Sequence, residues 1–161
     1  MEDKLLNAIR LRNNGKIEQS LILMAELLRF DPNNPTINYQ MAWTCDLIGK
    51  ESEAVPYYEN AIINGLSGED RKGAMLGLGS TYRCLGEYEK SLRILEKSIG
   101  EFPQDGSLKV FRTLTLHDLG QSKDALRDLL VLLLDTTNDE SIKVYDRTLR
   151  FYADKLSEIE S

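Results

Sequence analysis

Gly86-Glu-Tyr-Glu-Lys-Ser91 is one of four stretches of this chain built on the same plan. Gly15-Lys-Ile-Glu-Gln-Ser20, Gly49-Lys-Glu-Ser-Glu-Ala54 and Gly120-Gln-Ser-Lys-Asp-Ala125 also open on glycine and reach a small residue five places on. The four glycines stand 34, 37 and 34 residues apart. Glycine closes a helix because it adopts positive φ without penalty. A small residue one turn into the next helix lets two helices cross closely. The pair therefore predicts helix, tight turn, helix, four times over. A period in this range marks a solenoid rather than one globular core.

In this register the units run over residues 1–34, 35–68, 72–105 and 106–139 of a single 161-residue domain. The three extra residues fall around Gly65-Leu-Ser-Gly-Glu-Asp70, whose loop composition predicts a longer connection. Helices are expected near 3–13, 17–29, 36–48, 52–64, 70–85, 88–100, 106–118, 122–135 and 139–157. In the second of these, Ile17, Leu21, Met24, Leu27 and Leu28 recur at helical spacing, with Glu18, Gln19 and Glu26 on the other side. Asp31-Pro-Asn-Asn34 ends it, since Pro32 cannot continue a helix. No segment alternates with period two, so no sheet is expected.

After the fourth unit, Thr137-Asn-Asp-Glu140 reads as a capping box opening a last, capping helix over 140–158. Ile142, Tyr145, Leu149, Tyr152 and Leu156 form its apolar stripe, opposite Lys143, Asp146, Arg147, Arg150 and Asp154. An open solenoid needs such a cap, because its last repeat otherwise leaves an apolar side in water. Helix 122–135 is apolar almost all round after Asp128, so it should be covered on more than one side.

This register resembles the tetratricopeptide repeat family, with its pattern W-x2-L-G-x2-Y…A-x3-F…P. The third unit carries it best, in Met75, Leu78, Gly79, Tyr82, Ser91, Leu95 and Pro103. The second supplies Asn38, Met41, Ala42, Cys45, Ala54 and Tyr58, with Leu66 in place of proline. The first supplies Lys4, Asn7, Ala8, Leu11, Ser20, Met24 and Pro32. The fourth, the most degenerate, has Lys109, Arg112, Thr113, Leu116, Ala125, Leu129 and Thr137. The resemblance implies an all-α, right-handed superhelical solenoid whose concave groove is lined by the first helix of each unit.

Within that implied groove stand Leu5, Ile9 and Arg12, then Tyr39, Trp43 and Asp46. Leu76, Ser80 and Arg83 follow from the third unit, and Val110, Phe111, Leu114 and His117 from the fourth. We take Tyr39, Trp43, Leu76, Arg83, Phe111, Leu114 and His117 as the peptide-binding candidates, with Arg83 as the charge contact. Trp43 is the only tryptophan, and the family's tryptophan place falls at Asn38, so Trp43 is not accounted for as core. Large aromatics on a groove make good anchors. Some members of the family clamp a chaperone's C-terminal carboxylate with basic residues and asparagine. The matching places here are Leu5, Ile9, Gln40, Gly73 and Gly77, so that subtype is not expected.

Other chemistries find little footing. A net charge of −6 with no basic run removes the electrostatic basis for binding nucleic acid. The longest strongly apolar run, Leu129–Leu134, is far too short to span a bilayer, and no signal peptide is read at the N-terminus. His117 is the lone histidine, with neither metal partners nor an oriented nucleophile beside it. Gly73-x3-Gly77-x-Gly79 lacks the lysine and setting of a phosphate loop and reads as close helix packing. Glu87–Glu89 and the tail Glu158-Ile-Glu-Ser161 read as solvated surface. Cys45 and Cys84, far apart in sequence, read as buried, reduced thiols of a cytoplasmic protein. The expectation is a non-enzymatic module without cofactor or metal, binding another protein or peptide. Self-assembly through apolar terminal surfaces, as in a homodimer, is the alternative.

Overall fold

The computed structural model describes residues 2–158. Met1 and 159–161, with most of the acidic tail, lie outside the described residues. Ten helices and no strand occur among the described residues. They fall into two compact units, Met1–Glu87 and Tyr88–Ser161, divided inside the third repeat.

The first unit holds α1 (Glu2–Asn13), α2 (Ile17–Phe30), α3 (Pro35–Asp46), α4 (Glu51–Ile63) and α5 (Gly68–Cys84). The second holds α6 (Tyr88–Glu101), α7 (Gly106–Asp118), α8 (Ser122–Thr136), α9 (Glu140–Lys143) and α10 (Asp146–Glu158). The four period-setting glycines are all left-handed, with φ of 77°, 70°, 76° and 80°. At each, the following residue's N–H bonds five residues back at 2.8–3.0 Å. The glycine's own N–H bonds three back at 2.9–3.1 Å, so two of the helix's orphan carbonyls are satisfied within the turn.

The small residues after each turn are buried: Ser20, Ala54, Ser91 and Ala125. Ser20 Oγ donates to the Ala8 carbonyl at 2.7 Å, and Ser91 Oγ lies 2.9 Å from Thr115 Oγ1. The repeat register also predicts the core. Met75, Leu78, Tyr82, Leu95, Met41, Ala42, Cys45, Tyr58, Ala8 and Met24 are all buried. The degenerate fourth repeat breaks this pattern at Leu129, which is exposed, and Leu11 of the first repeat is half-buried.

Three sequence expectations are corrected. First, the connection before α5, residues 64–67, is no longer than residues 31–34 before α3. The three extra residues go into the helix instead: α5 has 17 residues, where α3 has 12 and α7 has 13. Glu69 and Asp70 complement the dipole of its first turn, and Arg71 Nη1 donates to the carbonyls of Ile62 and Leu66.

Second, the terminal helix is broken at Val144-Tyr145 into α9 and α10. Its cap is Asp139, whose carboxylate accepts from the Ser141 N–H at 2.9 Å, not Thr137. The Tyr145 N–H bonds three residues back, where a continuous helix would bond four back, and this resets the phase. Ala153 is fully buried, and half-buried Leu149, Leu156 and Arg150 share its side, while Tyr145 and Tyr152 of the expected stripe are exposed. Arg150 Nη2 reaches Asp135 of α8 at 2.9 Å.

Third, only Cys45 is buried, with its thiol pushed up to about 11 by burial; Cys84 is exposed. Among the described residues, no helix is long and apolar enough to cross a membrane.

Candidate functional site

In the first unit, α1, α3, α4 and α5 bring one polar and aromatic cluster together. Tyr39 and Trp43 are four residues apart on α3, so their rings meet, stacked with centroids 6.1 Å apart. The Arg12 guanidinium of α1 lies 4.0 Å from the Trp43 ring centre, a cation–π contact. Trp43 keeps 42% of its surface exposed, whereas Arg12 keeps 5%. Asn38, at the family's tryptophan place, is buried instead and donates to the carbonyls of Pro32 and Asn34, both at 2.9 Å.

Glycines on α5 make room for this cluster. A Cβ on Gly73 would stand 2.4 Å from the Tyr39 hydroxyl, and one on Gly77 would stand 2.6 Å from the Tyr58 ring. The Gly73-x3-Gly77 spacing is thus a seat for two tyrosine rings. The Tyr58 hydroxyl donates to Asp46 Oδ2 at 2.8 Å, and Thr81 Oγ1 stands 3.0 Å from the same oxygen. Burial pushes the Asp46 carboxyl up, and the hydrogen bonds from Tyr58 and Thr81 oppose that shift. Burial likewise pushes the Tyr58 hydroxyl up.

Arg12 is held differently. Its Nη1 donates to Gln40 Oε1 at 2.8 Å. Its contacts to the Gln40 carbonyl, Thr44 Oγ1 and Asn13 Oδ1 are all 3.5 Å, at the limit of a hydrogen bond. Burial pushes its guanidinium down.

The candidates divide between the two units. Tyr39 and Trp43 stand together on α3, and Leu76 and Arg83 are both half-buried on α5. Phe111, Leu114 and His117 lie on α7 of the second unit: Phe111 is half-buried, and Leu114 and His117 are exposed. His117 Nδ1 is 2.9 Å from Ser122 Oγ, across the turn into α8. No metal-holding group of His, Cys, Asp or Glu occurs among the described residues. The first unit's cluster offers an aromatic platform and a cation, and no nucleophile paired with a base. Sequence reading placed Arg12 on this face but gave no sign of its burial, because nothing in its neighbours marks it as enclosed.

The second unit carries an apolar surface of another kind. On α8, Leu126, Leu129 and Leu133 are exposed and line a shallow groove with Leu130, Leu132 and Thr136. The covering expected for this helix is incomplete, since α10 shields only part of it. Val144, Tyr145, Phe151 and Tyr152 are exposed as well.

Comparison with known proteins agrees with the repeat register. A family profile described as tetratrico peptide repeat matches residues 35–156. No curated protein matches the chain by sequence. Among solved structures, MamA 41-end from Desulfovibrio magneticus RS-1 is similar, with a TM-score of 0.69 and 18% identity over 99% of this chain and 94% of that one. AMB-1 MamA gives a TM-score of 0.72 and 18% identity over 88% of this chain and 76% of that one. MSR-1 MamA gives 0.69 and 15% over 98% and 77%. At these identities the likeness is one of helical-solenoid fold.

Proposed function

We infer that this chain, which belongs to the tetratricopeptide repeat family, is a non-catalytic interaction module that holds a peptide or helix of a partner protein. The observation that carries this reading is the exposed Trp43 ring, stacked on Tyr39 beneath a buried cation. A rigid aromatic in a partly desolvated place is the usual centre of a binding hot spot. Leu76 and Arg83 on α5 are the further contact residues of this reading in the first unit, and Phe111, Leu114 and His117 on α7 are the contact residues proposed for the second unit by itself. Two cysteines without a disulfide fit a reducing, cytoplasmic setting.

The test is affinity capture with the purified protein, then titration of whatever partner is retained. Truncating a buried aromatic anchor commonly removes 2 kcal/mol or more of binding. Trp43→Ala should therefore weaken the partner about 30-fold, with helicity by circular dichroism unchanged. Equal binding by the variant would remove this face from the proposal.

A second reading, an assembly unit that associates with copies of itself, is favoured by the open leucine face of α8 and the exposed aromatics of α10. Contiguous exposed apolar surface often marks association sites. On this reading Leu129→Glu should shift a dimer toward monomer in light scattering. A wild-type protein that scatters as an 18.3 kDa monomer at all concentrations sinks it.

A further inference from the structure

We propose that Arg12, backed by Trp43, anchors a carboxylate of the bound partner: an aspartate or glutamate side group, or the partner's terminal carboxylate. This deepens the interaction-module reading and rests on it. Arg12 is a buried charge without a counter-charge, since none of its contacts is a carboxylate. Asp46, on the same implied face, is engaged by Tyr58 and Thr81 rather than by Arg12. A buried charge is ordinarily paired, because leaving it unpaired is strongly unfavourable.

The guanidinium is also only half used. Nη1 makes the one full-strength hydrogen bond, to Gln40, and Nη2 makes none among the described residues. Ser98 Oγ is the only fully sealed side-chain nitrogen or oxygen without a partner among those residues, so Nη2 is not completely closed off. The geometry is that of a prepared donor edge. Trp43 covers one face of the guanidinium plane, Gln40 holds one nitrogen, and the other nitrogen has no hydrogen-bond partner among the described residues. An oxygen acceptor arriving there forms a charge-assisted bond in a partly desolvated place, where such bonds are strongest. A carboxylate supplies both the missing acceptor and the missing charge. Arg12 is not among the positions that match the chaperone clamp, so this is a separate site.

The experiment pans the full-length protein against a random dodecapeptide library. One arm presents the peptides with free C-termini, and the other presents them joined to the display scaffold through that end. The expected result is an enriched set with Asp or Glu at one fixed register, in both arms for an acidic side group. A terminal-carboxylate ligand enriches only in the free-ended arm and loses binding when amidated. Arg12→Met should then weaken the enriched peptides about 10-fold or more, as for loss of a hydrogen bond to a charged group. Arg12→Lys should keep part of the acidic preference, and circular dichroism reports whether each variant folds. Enrichment of apolar peptides with no acidic register and no need for a free terminus overturns the carboxylate site and leaves the module reading standing. No enrichment in either arm overturns both. Because the acidic register is read on the wild-type protein, the test holds even if Arg12→Met does not fold.

Discussion

Replacing Gly77 by leucine should lower the stability of the protein by about 3 kcal/mol or more, the upper range for overpacking a filled core. In melting temperature this is a fall of roughly 10 °C for a protein of this size. The reason is the Tyr58 ring, which stands 2.6 Å from where the added Cβ would be. A free ring end would swing away, but Tyr58 is buried and its hydroxyl is held by Asp46. Tyr39, tilted against it at 6.3 Å, is itself lodged on Gly73. Gly77→Ala should also melt below wild type, although helix propensity alone favours alanine by about 1 kcal/mol. Gly100 of α6 is the control: nothing lies within 4 Å of its Cβ position, so Gly100→Ala should raise the melting temperature. If Gly77→Ala melts higher than wild type, the tight seat for Tyr58 is wrong.

Ending the polypeptide after Asp139 should produce the second large effect. It removes α9 and α10, and with them the fully buried Ala153 and the half-buried Leu149 and Leu156 that cover a flank of α8. Two leucines partly withdrawn from water, together with the α8 surface they shield, correspond to about 3–5 kcal/mol. The ion pair between Arg150 and Asp135 adds little, because both groups keep substantial contact with solvent. The truncated protein should melt at least several degrees lower and aggregate in light scattering as the α8 leucines are uncovered. A truncated form that melts with the full one and stays monomeric would show that α10 is not a cap.

The repeat core was legible because glycine and small-residue places recur, and recurrence is visible in a single sequence. Ser20, Ala54, Ser91 and Ala125 follow from it, as does the burial of Met75 and Tyr82. The phase of the terminal helix was not legible. Tyr145 lies at a break, and beyond it the buried side centres on Leu149, Ala153 and Leu156, with Tyr152 turned outward. The extra residues before Met75 looked like loop because of Gly65 and Gly68, yet a helix N-terminus accepts Ser-Gly-Glu-Asp equally well. For the candidate site, Trp43 was legible by its displacement from the family's tryptophan place. The enclosure of Arg12 was not, since it arises from Gln40, Thr44 and Trp43 of the next repeat.

The hairpin corners have a consequence for inheritance. The bonds repeated at all four corners run between main-chain atoms, through the N–H groups of Lys16, Lys50, Glu87 and Gln121 and of the glycines before them. Among those four residues are two cations, an anion and a neutral amide at one shared geometry. Mutation can therefore rewrite the charge worn at each corner while the architecture persists, provided the glycine stays. This chain and the RS-1 MamA, which share fewer than one residue in five, have the same helical-solenoid fold.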